Sequence, residues 1–177
     1  MNLEIATLGN GCFWCTEAVF KRLKGVHSVL PGFSGGAIKN PAYREVVTGR
    51  TGHAEVLHIT YDPAHISYEK LLAVFFSTHD PTTLNRQGND VGTQYRSAIF
   101  YHTEAQKVIS ERTLEALGKQ NVFLDPIVTE LTRFEAFYEA ENYHHDYFEG
   151  HQEEPYCKLV INPKLNKFLK QFASDLK

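Results

Sequence analysis

The sequence predicts an α+β fold: a two-layer α/β sandwich with a ferredoxin-like βαββαβ core, long active-site loops and a C-terminal extension. Two observations support this prediction. Segments with the two-residue alternation of half-buried strands are interleaved with segments whose apolar residues recur at helical spacing. The chain has 177 residues, 42% of them hydrophobic, which suffices for one domain with a proper core. We therefore expect residues 1–177 to form a single domain.

Four elements are predicted in the first part of the chain. A strand over 3–8 precedes a helix that begins near Cys15 and stops at Gly25, because its apolar residues share one face. A strand over 26–33 follows and ends at two glycines. The next strand covers 56–61, where residues alternate at the period of a half-buried strand.

The middle of the chain supplies one helix and one strand. The helix covers 68–76, with Ser67 as its N-cap, and the strand covers 97–101. Two stretches, 37–54 and 78–96, are rich in polar residues, glycine and proline and are too long for simple turns. Long ordered loops in a compact domain commonly carry function.

Three elements complete the prediction. Thr103 and Gln106 form a capping-box pattern for a helix that ends at Gly118. The stretch 127–131 has the composition of a strand. Pro163 then opens a C-terminal helix with a continuous apolar stripe.

Composition excludes several classes of function. The formal charge is only −3, so the chain lacks the basic surface that a polyanion requires, and we expect no nucleic-acid partner. The longest apolar run, 71–76, is far too short to cross a membrane, and the N-terminus has no signal pattern. We expect a cytoplasmic monomer. Three cysteines in the reducing cytosol then argue against structural disulfides and favour a transient, catalytic one.

The most informative segment is Gly11-Cys12-Phe13-Trp14-Cys15. It places a cysteine just before a predicted helix, where the positive end of the helix dipole lowers a thiol pKa and favours the nucleophilic thiolate. Three other interpretations remain open on this segment alone: a buried structural cysteine with core aromatics, a redox Cys-x-x-Cys pair, and half of a zinc site.

Two further groups of motifs lie in the long loops. The first loop contains Asn-Pro-Ala-Tyr-Arg-Glu at 40–45 and Gly-His-Ala-Glu at 52–55, and the second contains Asp-Val-Gly-Thr-Gln-Tyr-Arg-Ser at 90–97. Together with the Gly11–Cys15 segment and Tyr-His-His-Asp-Tyr at 143–147, these motifs resemble, in order, the A-type peptide methionine sulfoxide reductases. The resemblance covers most of the chain.

The resemblance implies a role for each matching residue. Cys12 is expected to attack the sulfoxide sulfur and to be left as a sulfenic acid. Glu55 is expected to donate the proton to the sulfoxide oxygen, with the hydroxyls of Tyr43 and Tyr95 as hydrogen-bond donors. Asp90 matches the family's second carboxylate, which supports the site through hydrogen bonding.

The apolar wall expected to receive the substrate also bears on the proton donor, because burial beside it would raise the pKa of Glu55. Phe13 and Trp14 match the apolar wall that receives the methyl group of the substrate. A free glutamic acid has a pKa of roughly 4.3 and is ionised at neutral pH, so Glu55 is a proton donor only if burial raises its pKa. We expect Glu55 to be partly desolvated beside Trp14.

Regeneration of the enzyme requires a second sulfur, and two cysteines compete for this role. Cys157 lies where many family members carry a resolving cysteine, and we favour it; the resemblance then implies thioredoxin as the external reductant. Cys15 is the alternative, since it is three residues from Cys12, but a helix that begins before it would point its side chain away from the pocket. The glycine at 150 and the proline at 155 predict an irregular loop before Cys157.

The sequence indicates no bound cofactor. His144, His145 and His151 lie near Asp146, but adjacent histidines on a helix point about 100° apart and are poorly placed to share a metal ion. Packed histidines on a helix surface are the interpretation we favour. No phosphate-binding or dinucleotide-binding motif is found. A thiol-dependent reductase of methionine S-sulfoxide, in proteins or free, ranks first; a disulfide oxidoreductase and a zinc-binding module rank below it.

Overall fold

The computed structural model of the protein describes residues 2–177. Its strands and helices alternate irregularly along the chain. The strands are β1 (Glu4–Asn10), β2 (Val26–Ser34), β3 (Ala54–Tyr61), β4 (Arg86–Gln87), β5 (Asp90–Val91), β6 (Ser97–Tyr101), β7 (Glu130–Arg133) and β8 (Tyr138–Glu139). The α-helices are α1 (Phe13–Phe20), α2 (Tyr43–Val46), α3 (Tyr68–Ser77), α4 (Glu104–Lys119), α5 (Tyr147–Gly150) and α6 (Asn162–Gln171).

Six strands form one mixed sheet in the order β7-β6-β1-β3-β2-β8. Every neighbouring pair is antiparallel except β6 and β7, which are parallel. The prediction of helices combined with a mixed sheet is therefore confirmed. The two central strands are paired from Glu4 with Tyr61 to Leu8 with Leu57, and this register brings the C-terminal end of β1 next to the N-terminal end of β3.

The two faces of the sheet are covered differently. Side chains alternate across a strand, so Leu57 and Ile59 of β3 face the main core, whereas Val56 belongs to a smaller cluster on the other face. Helices α1, α3 and α6 contribute their apolar residues to the main core. Phe134 and Phe137, from the segment between β7 and β8, pack against the smaller cluster.

Both long loops contain short helices or strands that the sequence pattern does not predict. The loop over 37–54 contains the four-residue helix α2, and the loop over 78–96 contains the β4–β5 hairpin and a 3₁₀ turn at Thr93–Tyr95. The strand predicted at 127–131 begins instead at Glu130, where it can pair with Ala98 of β6. Strand β8 was not predicted, because it has only two residues and depends on pairing with β2.

The C-terminal segment folds back onto the first helix. Helix α6 packs against α1, and the backbone N–H of Lys177 donates to the carbonyl of Arg22 at 3.0 Å. The N–H of Lys24 donates to the carbonyl of Asp175 at 2.8 Å. Among residues 2–177 no helix combines the length and the apolar composition needed to cross a membrane.

Candidate active site

Cys12 lies at the turn between β1 and α1, where it is the N-cap residue of the helix and is partly buried. The turn requires glycine at position 11, since its φ is +95° and a Cβ there would lie 2.7 Å from the Cγ atom of Gln87. Helix α1 begins at Phe13, two residues earlier than predicted. The Cys12 carbonyl accepts a hydrogen bond from the N–H of Cys15 at 3.2 Å.

The pKa of Cys12 differs from the expectation. The sulfur is at the N-terminus of a helix as predicted, but it makes no capping hydrogen bond. Burial raises the pKa of the Cys12 thiol well above its ordinary value, and the neighbouring Cys15 and Glu55 raise it further. The expected lowering by the helix dipole is therefore wrong for the substrate-free site, because desolvation of a thiolate outweighs a dipole effect of about 1 kcal/mol.

Glu55 is the second residue of β3 and only 1% of its surface is exposed. Its Oε1 atom accepts a hydrogen bond from the backbone N–H of Phe13 at 3.2 Å, which fixes the carboxyl group beside the Cys12 turn. Its Oε2 atom is buried and has no hydrogen-bond partner. Burial raises the pKa of Glu55 to about 8, so the carboxyl group is largely protonated at neutral pH. The desolvation that the proton-donor role requires is present.

Tyr43 and Tyr95 come from the two long loops and face the same region. Tyr43 begins α2, and Tyr95 ends the 3₁₀ turn that precedes β6. Burial raises the pKa of both phenols, with further contributions from Glu55 and Cys12. Both hydroxyls are therefore protonated donors near neutral pH, and their common electrostatic neighbours place them around one site.

Asp90 begins β5 in the hairpin and is partly exposed. It accepts a hydrogen bond from the hydroxyl of Tyr156 at 3.2 Å, and the same hydroxyl lies 3.7 Å from the sulfur of Cys15. Tyr156 therefore joins the hairpin to the cysteine pair. Tyr156 was not predicted from the sequence, and its position next to Cys157 is the signal that could have identified it.

The predicted aromatic wall is larger than two residues. Phe13 is 1% exposed and packs on Phe33 with ring centroids 5.7 Å apart, so it forms the base of the wall. Trp14 is partly exposed and stacks on Tyr147 at 3.9 Å with the rings 11° from parallel. The indole N–H of Trp14 donates to Nδ1 of His144 at 2.9 Å. His144 and Tyr147 were not predicted to take part.

The two remaining cysteines are both buried. Helix α1 begins before Cys15, whose sulfur lies 3.7 Å from the hydroxyl of Tyr156, and the neighbouring Cys12 thiol lowers the pKa of Cys15 to about 7. Cys157 is fully buried in a π-helical turn, Cys157–Ile161, that continues into α6. The irregular stretch predicted before Cys157 is limited to residues 151–154, and Cys157 itself is helical.

The histidine-rich segment is not organised as a metal site. His144 is fully buried against the aromatic wall, and the Nε2 atom of His145 is 3.2 Å from the carbonyl of Ala140. His151 stacks on Tyr147 at 4.0 Å. Within residues 2–177 no group of three or more histidine, cysteine, aspartate or glutamate side chains has a geometry that would hold a metal ion.

The assembled groups define a cysteine-dependent enzyme that carries its own acid. A soft nucleophile, a protonated carboxyl group with one free oxygen and two phenol donors surround one site beside an apolar wall. Such a site can form a bond to sulfur at Cys12 while a proton is delivered to a neighbouring atom.

Comparison with known proteins identifies the family. The family model of peptide methionine sulfoxide reductases matches residues 4–176. The peptide methionine sulfoxide reductase MsrA of Sulfolobus acidocaldarius is 62% identical over 174 residues, which cover 96% of each chain. That of Saccharolobus solfataricus is 58% identical over 175 residues, with 99% of this chain and 98% of the relative covered.

A solved structure agrees with these relatives. The reduced form of Mxr1 from Saccharomyces cerevisiae has a TM-score of 0.77 and 33% identity, and the match covers 88% of this chain and 89% of that chain. Mxr1 has also been solved in complex with Trx2. The chain belongs to the peptide methionine sulfoxide reductase family, which confirms the resemblance of its motifs, and its activity is the thiol-dependent reduction of methionine sulfoxide.

Proposed function

We propose that the chain reduces the S epimer of methionine sulfoxide, in proteins and as the free amino acid, with Cys12 as the nucleophile. The observation that carries this assignment is the carboxyl group of Glu55, which is buried, has a raised pKa of about 8 and keeps Oε2 without a partner. A polar atom buried without a partner is costly. A sulfoxide oxygen in the site would accept its proton and remove that cost.

The reductive step transfers two electrons from Cys12 to the sulfoxide. The Cys12 sulfur attacks the sulfoxide sulfur, and the negative charge that develops on oxygen is neutralised by the proton of Glu55. The bond between the sulfoxide sulfur and its oxygen then breaks, the oxygen becomes bonded to the Cys12 sulfur, and the transient bond between the two sulfurs is cleaved. The thiol has become a sulfenic acid and the sulfoxide a thioether. The proton that leaves the Cys12 thiol restores the acid form of Glu55, and the step is balanced without an external proton.

The other site residues hold the substrate while this occurs. The hydroxyls of Tyr43 and Tyr95, both protonated because burial raises their pKa values, donate to the developing oxyanion. Trp14 receives the methyl group on its partly exposed ring, and Phe13 is buried against Tyr43 and His144, which Trp14 also contacts. Asp90 holds the hydroxyl of Tyr156, which faces the cysteine pair.

We propose that Cys15, rather than Cys157, resolves the sulfenic acid. Cys15 shares the first turn of α1 with Cys12 at the Cys-x-x-Cys spacing that permits a disulfide, and the neighbouring Cys12 thiol lowers the pKa of Cys15, which favours its nucleophilic form. Its attack on the Cys12 sulfenic acid forms a disulfide and releases water. Cys157 is fully buried in a helical turn, and burial raises its pKa, so it is the less reactive thiol. It is the competing candidate for the resolving role.

Thioredoxin is the proposed external reductant. The disulfide has to be reduced by thiol exchange before another turnover, and the crystallised complex of Mxr1 with Trx2 supports a protein dithiol as the source of electrons. The chemistry described uses only side chains of the chain itself, and we propose that no cofactor is bound.

Four broader predictions accompany this function. We propose that β6, β1, β3 and β2 with helices α1 and α3 form a ferredoxin-like core, which is supported by their sheet order and by their antiparallel pairing. We propose that residues 1–177 form one domain, since residues from both the first and the last helix enter one buried cluster. The monomeric state and the cytoplasmic location stay predictions.

An assay with separated sulfoxide epimers tests the proposed function. Purified protein is supplied with thioredoxin, thioredoxin reductase and NADPH, and NADPH oxidation is followed with the S or the R epimer of a methionine sulfoxide peptide. We expect turnover with the S epimer alone. Equal turnover of both epimers, or none with either, would contradict the assignment.

A further inference from the structure

Glu17 is a buried carboxyl group that the proposed chemistry does not use. It lies on α1, one turn beyond the aromatic wall residues, and only 3% of its surface is exposed. Burial raises the pKa of Glu17 to about 7. A buried carboxyl group is expensive to maintain unless it is well hydrogen-bonded, so its partners indicate what it does.

The partners of Glu17 are backbone groups of the turn that begins α5. Its Oε1 atom accepts a hydrogen bond from the N–H of Asp146 at 2.8 Å, and the backbone of Asp146 and Tyr147 lowers the pKa of the carboxyl group, against the larger effect of burial. Asp146 has a φ of +53°, in the left-handed region that residues other than glycine rarely adopt. This conformation costs about 1 kcal/mol or more, and the hydrogen bond from the Asp146 N–H to Glu17 offsets part of that cost.

The turn held by Glu17 carries Tyr147, whose ring covers Trp14. The two rings are 3.9 Å apart and nearly parallel, and His151 stacks on the opposite side of Tyr147 at 4.0 Å. Ion pairs also join α1 to this turn, with Lys21 at 2.7 Å from Asp146 and Arg22 at 2.7 Å from Glu149. These pairs are solvent-accessible and contribute little.

We infer that Glu17 is a positioning residue for the substrate wall: by holding the Asp146–Tyr147 turn, it fixes the Tyr147 ring on which Trp14 rests. The inference rests on the proposed role of Trp14 as the surface that receives the substrate methyl group. A Trp14 ring with a fixed orientation is a preformed apolar surface. A free ring would have to be ordered each time substrate binds.

The single tryptophan of the chain gives a direct readout of this role. Because Trp14 is the only tryptophan, its emission maximum and its quenching by acrylamide report on the wall alone. Three variants are compared with the parent protein: Glu17→Leu, which removes the acceptor; Glu17→Gln, which keeps one acceptor oxygen; and Glu149→Gln, which removes the exposed ion pairs of Glu149 with Lys21 and Arg22.

In the Glu17→Leu variant we expect a red-shifted emission, faster quenching and a KM for an S-sulfoxide peptide that is about tenfold higher, the value of one hydrogen bond to a charged group. The single-turnover rate at saturating substrate should change less than about twofold, as for a loss of binding that is equal in ground and transition states. Glu17→Gln should show smaller changes in fluorescence and in KM than Glu17→Leu, and Glu149→Gln should behave as the parent.

Several outcomes would overturn the inference. If both Glu17 variants melt at a lower temperature but keep the emission, quenching and KM of the parent, Glu17 is merely structural. If Glu17→Leu does not fold, an emission maximum, acrylamide quenching and KM in Glu17→Gln that equal those of the parent contradict the inference in the same way. Trp14→Ala separates this inference from the proposed function: an unchanged KM in Trp14→Ala shows that the wall assignment, and not the Glu17 contact, is at fault.

Discussion

At the residue scale, the site is governed by desolvation of groups that would otherwise be charged. Burial raises the pKa of the Cys12 thiol and raises that of Glu55 to about 8. Both groups are therefore largely uncharged at neutral pH in the absence of substrate. One proton can move from the carboxyl group to the sulfoxide oxygen and another from the thiol to the carboxylate, without a lasting charge in the pocket, so the two pKa shifts complement each other.

Replacement of the nucleophile is the first test at this scale. Cys12→Ser should abolish sulfoxide reduction, because a hydroxyl group has neither the nucleophilicity nor the redox chemistry of a thiol. Release of methionine from an S-sulfoxide peptide measures the effect, and circular dichroism should report an unchanged fold. Substantial turnover in the purified variant would remove Cys12 from this role.

The acid role of Glu55 predicts a pH dependence. Only the protonated carboxyl group donates, so the single-turnover rate of the parent should fall as pH rises through about 8. Glu55→Gln should slow this step by about a hundredfold or more, the usual effect of a lost general acid, and should remove that limb of the profile. A near-normal rate at neutral pH would contradict the role.

The same shift predicts an effect of Glu55→Gln on stability. The pKa of Glu55 in the folded protein, about 8, exceeds the ordinary value of 4.5 for a glutamic acid. The folded state therefore holds the proton more tightly than the unfolded chain does. The contribution of this carboxyl group to the free energy of unfolding is lost as pH rises from 4.5 through 8. Denaturant unfolding should find Glu55→Gln more stable than the parent at pH 9, by roughly a few kcal/mol, and similar to it at pH 4. Equal stability at pH 9 would mean that the carboxyl group is not desolvated.

At the element scale, the sequence predicted the long elements well and the short ones poorly. The strand at 56–61 and the helix at 68–76 are confirmed within two residues at each end, because amphipathic periodicity reports burial directly. Helix α2 and strand β8 depend on contacts with distant residues, since the N–H of Tyr43 donates to Glu141 and β8 pairs with β2. No local pattern encodes such contacts.

The candidate site was predicted in part, for the same reason. Cys12, Glu55, Tyr43 and Tyr95 belong to motifs that are local in sequence, and they lie around one site. The contacts of Tyr156 with Asp90 and Cys15 link residues 66 and 141 positions apart. Only the folded chain reveals that such residues meet.

The first turn of α1 predicts which thiol forms the disulfide. If Cys15 resolves the sulfenic acid, Cys15→Ser should release one equivalent of methionine per enzyme and then stall with thioredoxin as reductant. Cys157→Ser should cycle almost normally, and peptide mapping of the oxidised protein should recover Cys12 joined to Cys15. A Cys12–Cys157 disulfide with the opposite behaviour of the two variants would restore Cys157 as the resolving thiol.

At the scale of the whole molecule, buried histidines link stability to pH. His58 and His102 both hydrogen-bond to the hydroxyl of Thr7, at 3.0 and 2.8 Å, on the face of the sheet covered by Phe134 and Phe137. His79 is buried between the carbonyl of Phe75 and the hydroxyl of Ser97. Burial lowers the pKa of all three, to about 4 for His58 and His79.

These shifts predict a loss of stability in acid. Below pH 6.5 the unfolded chain binds protons that the folded protein excludes, so the histidine contribution to the free energy of unfolding falls as pH drops from 6.5 to 4. His58→Phe, which keeps the contact with Phe137, should reduce this loss by on the order of 1 kcal/mol, since His58 is only half-buried. His27→Gln, at an exposed position, is the control. If both variants reduce the loss of stability in acid equally, burial of His58 is not its cause.

The pairing of Lys177 with Arg22 and of Asp175 with Lys24 bears on synthesis of the chain. A growing chain presents Cys12 and Cys15 to the cell long before residue 177 leaves the ribosome. The C-terminal segment cannot pack on helix α1 until then, and the central strand β1 cannot pair until β3 and β6 have been synthesised. The two thiols are therefore made early and enclosed late, so a nascent chain passes through an interval in which they are open to oxidation without an assembled site beside them.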